Sequence, residues 1–292
     1  MARGPVVSTE VERIERQRRE HARDLIAVEE PLQVILEHGP GHARTEAPLA
    51  ITMRTPGHDR DLTTGFLFAE GVITSAEDLV HIRHCVRADT PENVIRAVLH
   101  AHVVVPARLL ERSLPMTSAC GVCGERTLES LSKAGCERIH LKEGEFRPEA
   151  IRRALSSLEE SQAWFRHTGG THGAALFDNA GKLLMHREDV GRHNALDKLV
   201  GAQLHSTDSE AGDGFVVVSS RASFELVQKS VRAGVGMLVA IGAATSLAVE
   251  TARRFDLTLV GFAREGRFNV YANAERIAVE ASDEAFVSVE VG

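Results

Sequence analysis

The sequence is poor in cysteine. Its 292 residues hold four, namely Cys85, Cys120, Cys123 and Cys136. So few cysteines over this length exclude a disulfide-stapled extracellular fold. The amino terminus also lacks the apolar stretch of a signal peptide, and no window approaches the ~20 apolar residues that a membrane helix needs. We therefore expect a cytoplasmic protein with reduced thiols and no membrane partner.

The chain also lacks an excess of positive charge. It holds 34 Lys and Arg against 41 Asp and Glu, a formal net charge of -7. Without a global basic field we expect no nucleic-acid partner, and any anion site must be local. Hydrophobic residues make up 43% of the chain, which is typical of a globular protein with a sizeable core. The sequence shows neither an internal repeat nor a low-complexity tract.

The first half of the chain divides into a lead-in and an accessory part. Residues 1–27 are polar, and we expect an N-terminal extension that holds one charged helix. Residues 28–146 form the accessory part, in which PLQVILEHG and APLAITMRT are predicted strands. The next segment predicts a helix that Asp59 or Asp61 caps and that Gly71 ends. From about residue 105 the pattern becomes irregular, which predicts a mobile loop around the central cysteines.

The second half, residues 147–292, alternates helix and strand patterns. Pro148 opens a predicted helix, and GAALFD with KLLMHRED predicts a hairpin. The buried runs GFVVVSSR, MLVAIG and LTLVGFAR alternate with helical segments, and FNVYA and AFVSVEV are predicted edge strands. This alternation predicts an α/β cofactor-binding domain with largely parallel strands and helices on the faces of the sheet.

The stretch SACGVCGERT places Cys120 and Cys123 two residues apart between glycines. Such a pair favours the thiolate form of one cysteine and keeps a second thiol within reach, and Arg126 adds a positive charge. Zinc binding would need two more ligands at a compatible spacing, which neither Cys85, Cys136 nor the 14 histidines supply convincingly. A thioredoxin-like dithiol should open a helix after a strand, which the glycines disfavour. From the residues alone, a zinc site, a redox dithiol and a sulfur carrier stay open, with zinc and a thioredoxin-like dithiol both less favoured.

A zinc nucleoside deaminase is a further comparison. Those enzymes use His-x-Glu followed by Pro-Cys-x-x-Cys. Here His186 and Glu188 come after the cysteines, and Ala119 stands in place of the proline. The reversed order argues against deamination.

Polar residues are dense between positions 166 and 198, around tight glycine turns. The segments RHTGGTHGAALFD and HREDVGRHNALDKLVG hold His167, His172, Glu188, Asp189 and His193. Gly169 and Gly170 let backbone amides approach a ligand, and a helix start near Arg192 favours an anion. We interpret His167, His172 and the run 188–194 as parts of a ligand site. We interpret Asp197 as structural. Whether each polar side chain contacts a ligand, transfers a proton or supports a loop stays open.

Three consecutive predicted strands end in small, hydroxyl or arginine residues. These ends hold Ser219, Ser220 and Arg221, then Gly242 and Thr245, then Arg264 and Arg267. Because ligands bind at the carboxyl ends of the strands in open parallel sheets, these groups should lie close together. Each strand end alone is explained by a helix cap. Jointly, the hydroxyl, amide and guanidinium groups predict a phosphate-rich, nucleotide-like ligand.

Taken together, these motifs resemble the formate dehydrogenase accessory sulfurtransferases, the FdhD family. The resemblance runs from about Glu29 to near the carboxyl terminus. Its carriers are MRTPGHDRDLTTGFLFAEGVI, SACGVCG, RHTGGTHGAALFD, EDVGRHNALDKLVG, SSRASFELVQKSVRAGVGMLVAIGAATSLAVETA and TLVGFAREGRFNVYA. Several long motifs in this order are far more specific than a lone Cys-x-x-Cys.

The resemblance implies a mechanism. A cysteine desulfurase passes sulfane sulfur to Cys120, which carries it as a persulfide, and Cys123 supports that cysteine. The protein then delivers the sulfur to its cargo, the molybdenum (or tungsten) bis-pterin guanine dinucleotide cofactor, which formate dehydrogenase needs in sulfurated form. The implied partners are the desulfurase, the catalytic subunit of formate dehydrogenase and the guanine nucleotide part of the cofactor. No tightly bound zinc is expected.

The resemblance also implies a fold and a set of binding residues. The family fold resembles cytidine deaminase, with a layered sheet that carries helices on both faces, a smaller accessory α+β domain, and assembly as a homodimer. The family's cofactor-binding segment matches Phe262, Ala263, Arg264, Glu265, Gly266 and Arg267, and we add Ser219, Arg221, His172 and His193 as candidate cofactor-binding residues. The alternative from another functional class is a non-catalytic cofactor-binding chaperone or a zinc-stabilised binding module.

Overall fold

The computed structural model describes residues 4–86, 88–110, 116–117, 138–139, 145–206 and 214–279. Within these ranges the strands form a two-stranded ribbon, a five-stranded sheet and a six-stranded sheet. None of the helices there combines the length and the apolar character that a bilayer crossing requires. The Cys-x-x-Cys stretch and the predicted strand AFVSVEV lie outside the described residues.

The N-terminal extension is an antiparallel ribbon of β1 (Val6–Glu15) and β2 (Arg18–Ala27). The prediction of a charged helix in this extension is therefore wrong. Arg16 adopts a positive φ of 56° in the turn between the strands. Opposite charges face each other across the ribbon, as in the Arg19–Glu12 pair at 3.3 Å. Cross-strand pairs of this kind favour strands even where no face is buried.

The five-stranded sheet has the strand order β5–β6–β3–β4–β7. Its strands are β3 (Glu30–His38), β4 (Thr45–Arg54), β5 (Leu79–His84), β6 (Val94–Leu99) and β7 (Met116–Thr117). Short 3-10 turns lie at Ala76–Asp78 and Pro91–Asn93. The predicted strands PLQVILEHG and APLAITMRT are confirmed as β3 and β4. Alternate residues of β3, namely Leu32, Val34 and Leu36, are buried in one apolar core.

Helix α1 (Asp59–Ala69) follows β4. Its N-cap residue is His58, in a left-handed conformation and without a side-chain cap, so the predicted cap by Asp59 or Asp61 is wrong. Both aspartates lie in the first turn instead, where negative charge is favoured by the helix dipole. The predicted stop is confirmed, because Gly71 has a positive φ of 76° just after the helix.

The six-stranded sheet has the order β13–β12–β11–β10–β8–β9. Its strands are β8 (His172–Phe177), β9 (Leu183–Asp189), β10 (Phe215–Val218), β11 (Met237–Ala240), β12 (Thr258–Arg264) and β13 (Arg267–Ala272). Only β10, β11 and β12 are mutually parallel. The others join antiparallel, so the prediction of largely parallel strands is correct only for the three central strands. Tight hairpins link β8 to β9 and β12 to β13 and require antiparallel pairing there. The predicted hairpin and the edge position of FNVYA are confirmed.

Helices cover both faces of this sheet. They are α3 (Pro148–Ser161), α4 (Ala163–Thr168), α5 (Arg192–His205), α6 (Phe224–Arg232) and α7 (Ser246–Arg254). A short helix, α2 (Ala107–Leu110), precedes them in the chain, and a 3-10 turn at Ala274–Arg276 follows them. Ile151 and Leu158 of α3 share a core with Val217 of β10, whereas Val216 packs with α5, α6 and α7. Pro148 opens α3 as predicted, but the predicted continuous helix is interrupted at Gln162. The likeness to cytidine deaminase and the domain boundaries stay predictions.

Helices α1 and α5 meet backbone to backbone at two glycines. A β-carbon on Gly65 would overlap the carbonyl oxygen of Asp197, and one on Gly201 would overlap the carbonyl oxygen of Asp61. Both glycines lie inside helices, where glycine is otherwise unfavourable. This contact therefore sets the distance between α1, which packs on the five-stranded sheet, and α5, which packs on the six-stranded sheet.

We expect Gly201→Ala to destabilise the protein by about 2 kcal/mol or more, because the added methyl group collides with backbone that cannot move aside. Helix propensity alone would predict the opposite sign, a gain of about 1 kcal/mol. Chemical unfolding measures the free energy of unfolding of this variant. Gly41→Ala is the control, because a β-carbon at Gly41 meets nothing within 4 Å. A Gly201→Ala protein as stable as wild type would contradict the close contact.

Candidate functional site

The predicted strand ends do converge at one edge of the six-stranded sheet. Because β10, β11 and β12 are parallel, their carboxyl ends lie together. The amino end of β8 joins them, since Val218 pairs with Ala174. The backbone N–H of Ser219 donates to the carbonyl of Gly173, and the N–H of Gly173 donates to Ser219 Oγ, both at 2.9 Å.

A cavity of about 620 Å³ opens at this edge. Four of the predicted residues line one wall of the cavity, namely Ser219, Ala263, Arg264 and Glu265. Helices α3 and α4 and the residue between them also line the cavity, with Leu155, Ser156, Glu159, Gln162, Phe165 and Arg166. The Nη1 atom of Arg264 donates to the carbonyls of Ile241, at 2.7 Å, and Ala263, at 2.8 Å. These two bonds orient the guanidinium group, which lines a space large enough for a nucleotide.

The segment Phe262–Arg267 is the tip of the β12–β13 hairpin. β12 ends at Arg264 and β13 begins at Arg267, so Glu265 and Gly266 form the turn. Phe262 has a positive φ of 49°, is 45% exposed, and donates its N–H to the carbonyl of Gly242 at 2.9 Å. Phe262, Gly266 and Arg267 do not line the cavity. The structure thus brings only part of this segment to the cavity.

Arg221, His172 and His193 also lie at the strand-end edge but outside the cavity lining. Arg221 is exposed, and Gly242 packs so closely on its backbone that a β-carbon would come within 2.7 Å of the Arg221 α-carbon. His193 is hydrogen-bonded to Glu225, with 2.8 Å between Nε2 and Oε2. This hydrogen bond from His193 lowers the pKa of Glu225. Burial lowers the pKa of His172, and the charge of Arg192 lowers it further, so His172 is neutral at pH 7.

In the run 188–194, Glu188, Asp189 and Asn194 are buried and form a structural network, and a ligand contact by the other residues of the run stays a prediction. Glu188 accepts the backbone N–H groups of Trp164 at 3.0 Å and Phe165 at 2.8 Å, and the hydroxyl of Thr171 at 2.7 Å. This carboxylate therefore holds the first turn of α4. His167 lies on the exposed side of α4, and no bonded partner for it occurs among the described residues.

Asp189 and Lys198 form a fully buried ion pair at 2.7 Å. Asp189 also accepts the N–H groups of Gly191 at 2.8 Å and Thr55 at 3.1 Å, and Lys198 donates to the carbonyl of Thr55 at 2.8 Å. The side chain of Asn194 donates to the carbonyl of Met53 at 2.7 Å. These bonds join the end of β4 to α5. The interpretation of Asp197 as structural agrees with its burial and its pairing with Lys229.

A second cavity, of about 650 Å³, lies in the N-terminal part and was not predicted from the sequence. Its wall holds Arg54, which donates to Asp59 through Nε at 2.9 Å and Nη2 at 3.0 Å. His84 lies 3.4 Å from the same carboxylate. The sequence signal that could have indicated this cavity is the Pro56–Gly57 turn in MRTPGHDRD. This turn brings Arg54 back to Asp59.

Within the described parts of the chain, no three His, Cys, Asp or Glu side chains lie close enough to hold a metal ion. Cys120 and Cys123 lie outside those parts, so the expected absence of tightly bound zinc stays a prediction.

We expect Lys198→Met to destabilise the protein by about 3–5 kcal/mol, because it leaves the Asp189 carboxylate buried without its counter-charge. Chemical unfolding checks this value. The matched control is Lys182→Met, at an exposed lysine, which should change the free energy of unfolding by no more than about 0.5 kcal/mol. Equal stabilities of the two variants would show that the buried pair does not hold the fold.

The pair of Asp59 and His84 predicts a pH dependence of stability. Burial raises the pKa of Asp59, but hydrogen bonds from His84 and Arg54 and the Arg54 charge outweigh burial and hold it below 3.8. The hydrogen bond to Asp59 raises the pKa of His84 above 6.5. The carboxylate's contribution is therefore lost as the pH falls below 3.8. The histidine's contribution is complete below 6.5 and is lost as the pH rises through its folded-state pKa.

The difference in free energy of unfolding between wild type and His84→Gln should therefore be largest between pH 3.8 and 6.5 and shrink on both sides. Urea unfolding over a pH series measures this difference. His42→Gln, at an exposed position, serves as the control and should give a flat profile. A difference that grows above pH 7 would contradict the assigned pairing.

Comparison with known proteins adds the family. The profile of the FdhD/NarQ family matches residues 27–278. A protein from Streptomyces coelicolor called sulfur carrier protein FdhD is 42% identical, over 89% of this chain and 91% of its own. One of the same name from Anaeromyxobacter dehalogenans is 43% identical, over 88% and 90%. The fold is also similar to the crystal structure of a protein from Desulfotalea psychrophila named as a formate dehydrogenase accessory protein, with a TM-score of 0.71, 24% identity, and coverage of 94% of this chain and 99% of that one. The chain therefore belongs to the FdhD/NarQ family.

Proposed function

We propose that this chain is a sulfurtransferase that supports formate dehydrogenase by carrying sulfur as a persulfide on Cys120. The observation that carries the proposal is the 42% identity, over 89% of the chain, to a protein called a sulfur carrier. The Cys-x-x-Cys stretch supports it, because a carrier of sulfane sulfur needs an accessible thiolate. Thr117, the residue before this stretch, pairs with Ile51 in β4, and the adjoining Thr52 donates to Asn194 of α5 at 3.1 Å. The cysteine segment therefore follows a strand, β7, that pairs with β4, and β4 contacts the α/β part.

Loading takes place by thiolate attack. The donor is a cysteine desulfurase that holds a persulfide. The Cys120 thiolate attacks the outer sulfur of that persulfide, the donor S–S bond breaks, and the donor cysteine leaves as a thiolate. Cys120 then carries one additional sulfur atom, and the exchange involves no net oxidation.

Delivery as hydrosulfide requires two electrons, which the second thiol supplies. The Cys123 thiolate attacks Sγ of the loaded Cys120, the persulfide S–S bond breaks, and hydrosulfide leaves toward the metal of the cargo. A disulfide between Cys120 and Cys123 remains, and a cellular dithiol of the thioredoxin class reduces it for the next cycle. This assigns the supporting role of Cys123 to the release step.

The cargo is the molybdenum (or tungsten) bis-pterin guanine dinucleotide cofactor, bound through its nucleotide part at the strand-end edge. Ser219 and Arg264 support this assignment, because both line a cavity of about 620 Å³ beyond the carboxyl ends of parallel strands. A fixed guanidinium group and a hydroxyl suit phosphate oxygens. Arg221, Arg267, His172 and His193 are proposed contacts outside this cavity, as are Phe262 and Gly266.

The proposal also includes the cytoplasm as location, a homodimer, and a layering of sheet and helices like that of cytidine deaminase. The rival function is a non-catalytic cofactor-binding chaperone or a zinc-stabilised binding module. It predicts stoichiometric zinc that is lost on mutation of Cys120 or Cys123, and no persulfide after treatment with a desulfurase.

Incubation of the full-length protein with a cysteine desulfurase and cysteine should add the mass of one sulfur atom. The addition should be absent in Cys120→Ala and retained in Cys123→Ala, because only Cys120 attacks the donor. Intact-mass spectrometry measures this. Cys85→Ala, at a partly buried cysteine far from the motif in sequence, is the matched control and should load normally. Undiminished loading of Cys120→Ala would sink the assignment.

A further inference from the structure

The second cavity is a candidate ligand site in its own right, and we call it the N-terminal cavity. It has a volume of about 650 Å³, and its described lining residues do not overlap with those of the cavity at the strand ends. Its lining comes from the chain before β1, from β3, β4, α1, β5 and β6, and from turns between them. A concave space of this size, with apolar residues and a few polar groups in its wall, is typical of a site for a small molecule.

Two guanidinium groups in this lining have no counter-charge in the described part of the chain. Arg60 lies in the first turn of α1 and Arg83 in β5, and both residues are exposed. Neither side chain forms an ion pair or a hydrogen bond with another described residue. Because a guanidinium group presents its donors in a planar fork, both suit the oxygens of a carboxylate, sulfonate or phosphate group.

The lining also holds four carboxylates, and three of them already have a cationic partner. Arg54 donates to Asp59 through Nε at 2.9 Å, and its Nη1 lies 3.7 Å from Glu30 Oε2. Asp61 accepts from Arg187 Nη2 at 2.8 Å. Asp59 and Glu30 therefore share a single guanidinium charge, which favours a further positive charge beside them.

His84 supplies that further charge when it is protonated. Its side chain is 41% exposed, and its Nε2 lies 3.4 Å from Asp59 Oδ2. The hydrogen bond to Asp59 raises the pKa of His84, whereas burial and the charge of Arg54 lower it. The other charged or titratable groups of the lining are Glu30 of β3, His58, Arg60 and Asp61 at the start of α1, Arg83 of β5, and Glu92 of the turn before β6.

The balance of these charges favours an anion when His84 is protonated. Glu92 is the fourth carboxylate, and no ion pair to it occurs within the described ranges, so it can offset only one of Arg60 and Arg83. Protonated His84 compensates Asp59, which otherwise shares its guanidinium partner. The charge of one arginine is then left for a ligand, and the cavity attracts an anion most strongly while His84 is charged.

Apolar residues complete the lining. Pro5 and Ile82 are partly buried, and Pro56 and Ile95 are buried. They present carbon surface in the same cavity as the charged groups. A ligand with a carbon body removes this surface from water, whereas an inorganic ion leaves it exposed.

We propose that the N-terminal cavity binds a small organic oxyanion, such as a carboxylate, sulfonate or phosphate ester with an apolar body, and that His84 takes up a proton from solvent as the ligand binds. Arg60 and Arg83 donate to the oxyanion oxygens, the imidazolium of His84 adds its charge, and the carbon body covers Pro5 and Ile82. This inference goes beyond the proposed function, because it involves neither the cysteines nor the strand ends.

Calorimetric titration of the full-length protein with benzenesulfonate tests the inference, since this probe stays ionised over the whole titration range of histidine. Binding should be about tenfold tighter below the folded-state pKa of His84 than above it. Because linkage is reciprocal, saturating benzenesulfonate should also raise the pKa of His84, which NMR of its imidazole measures. Binding that does not depend on pH, or an unchanged pKa of His84, would overturn the inference.

Sulfate tests the apolar part of the proposal, because it is an oxyanion without a carbon body. It should bind at least about tenfold more weakly than benzenesulfonate despite its larger charge, since it buries no apolar surface. Equal or tighter binding of sulfate would contradict an organic ligand.

Four variants locate the site. Arg60→Gln and Arg83→Gln should each weaken benzenesulfonate binding by about tenfold, and the fold should be kept because both positions are exposed. Arg153→Gln, at an exposed arginine of α3 outside the lining, is the matched control and should bind as wild type does. His84→Gln should bind without pH dependence, whereas His81→Gln, exposed on the same strand and outside the lining, should keep it. Wild-type affinity in both cavity arginine variants would place the anion elsewhere and refute the proposal.

Discussion

The buried pair of Lys198 and Asp189 is the interaction on which the arrangement of the molecule depends. Lys198 donates to the Thr55 carbonyl while Asp189 accepts the Thr55 N–H, so one residue at the end of β4 is held from both sides. Because desolvating these two charges is costly, they are stable in the interior only when each is fully paired. That requirement fixes the start of the following turn and helix α1. It thereby brings α1 against α5 at the distance that their glycines allow.

Those elements of the fold whose signal is local were predictable from the sequence. The buried runs that became β10, β11 and β12 and the alternating run that became β3 are confirmed, as is the stop of α1 before Gly71. The N-terminal ribbon was missed because its strands have no buried face and carry cross-strand charge pairs, so they leave no alternation of apolar residues in the sequence. The interruption of the predicted long helix at Gln162 depends on contacts with β8 and β9, far away in sequence.

The candidate site also has features that were predictable from the sequence and features that were not. The position of Ser219 and Arg264 beside one cavity was predictable because parallel strands bring their ends to one edge, a rule that needs no knowledge of side-chain contacts. Glu188 and Asp189 carry the polar residue types of a binding site, yet the structure uses them to hold backbone N–H groups and a lysine. Residue type alone cannot distinguish ligand binding from structural support, because both use the same carboxylate groups. The contribution of α3 and α4 to the cavity was missed because these helices approach the strand ends only in the folded chain.

Arg264 shows how a single side chain combines structural and binding roles. Its Nη1 donates to two backbone carbonyls at the ends of β11 and β12, so the planar head is already oriented before any ligand arrives. A guanidinium group distributes five donors over a rigid plane, whereas a lysine has one compact ammonium group on a flexible stem. A lysine at position 264 would therefore keep the positive charge but lose the planar arrangement of donors. Natural variation in the hairpin tip should tolerate changes in the turn more readily than exchange of this arginine for lysine.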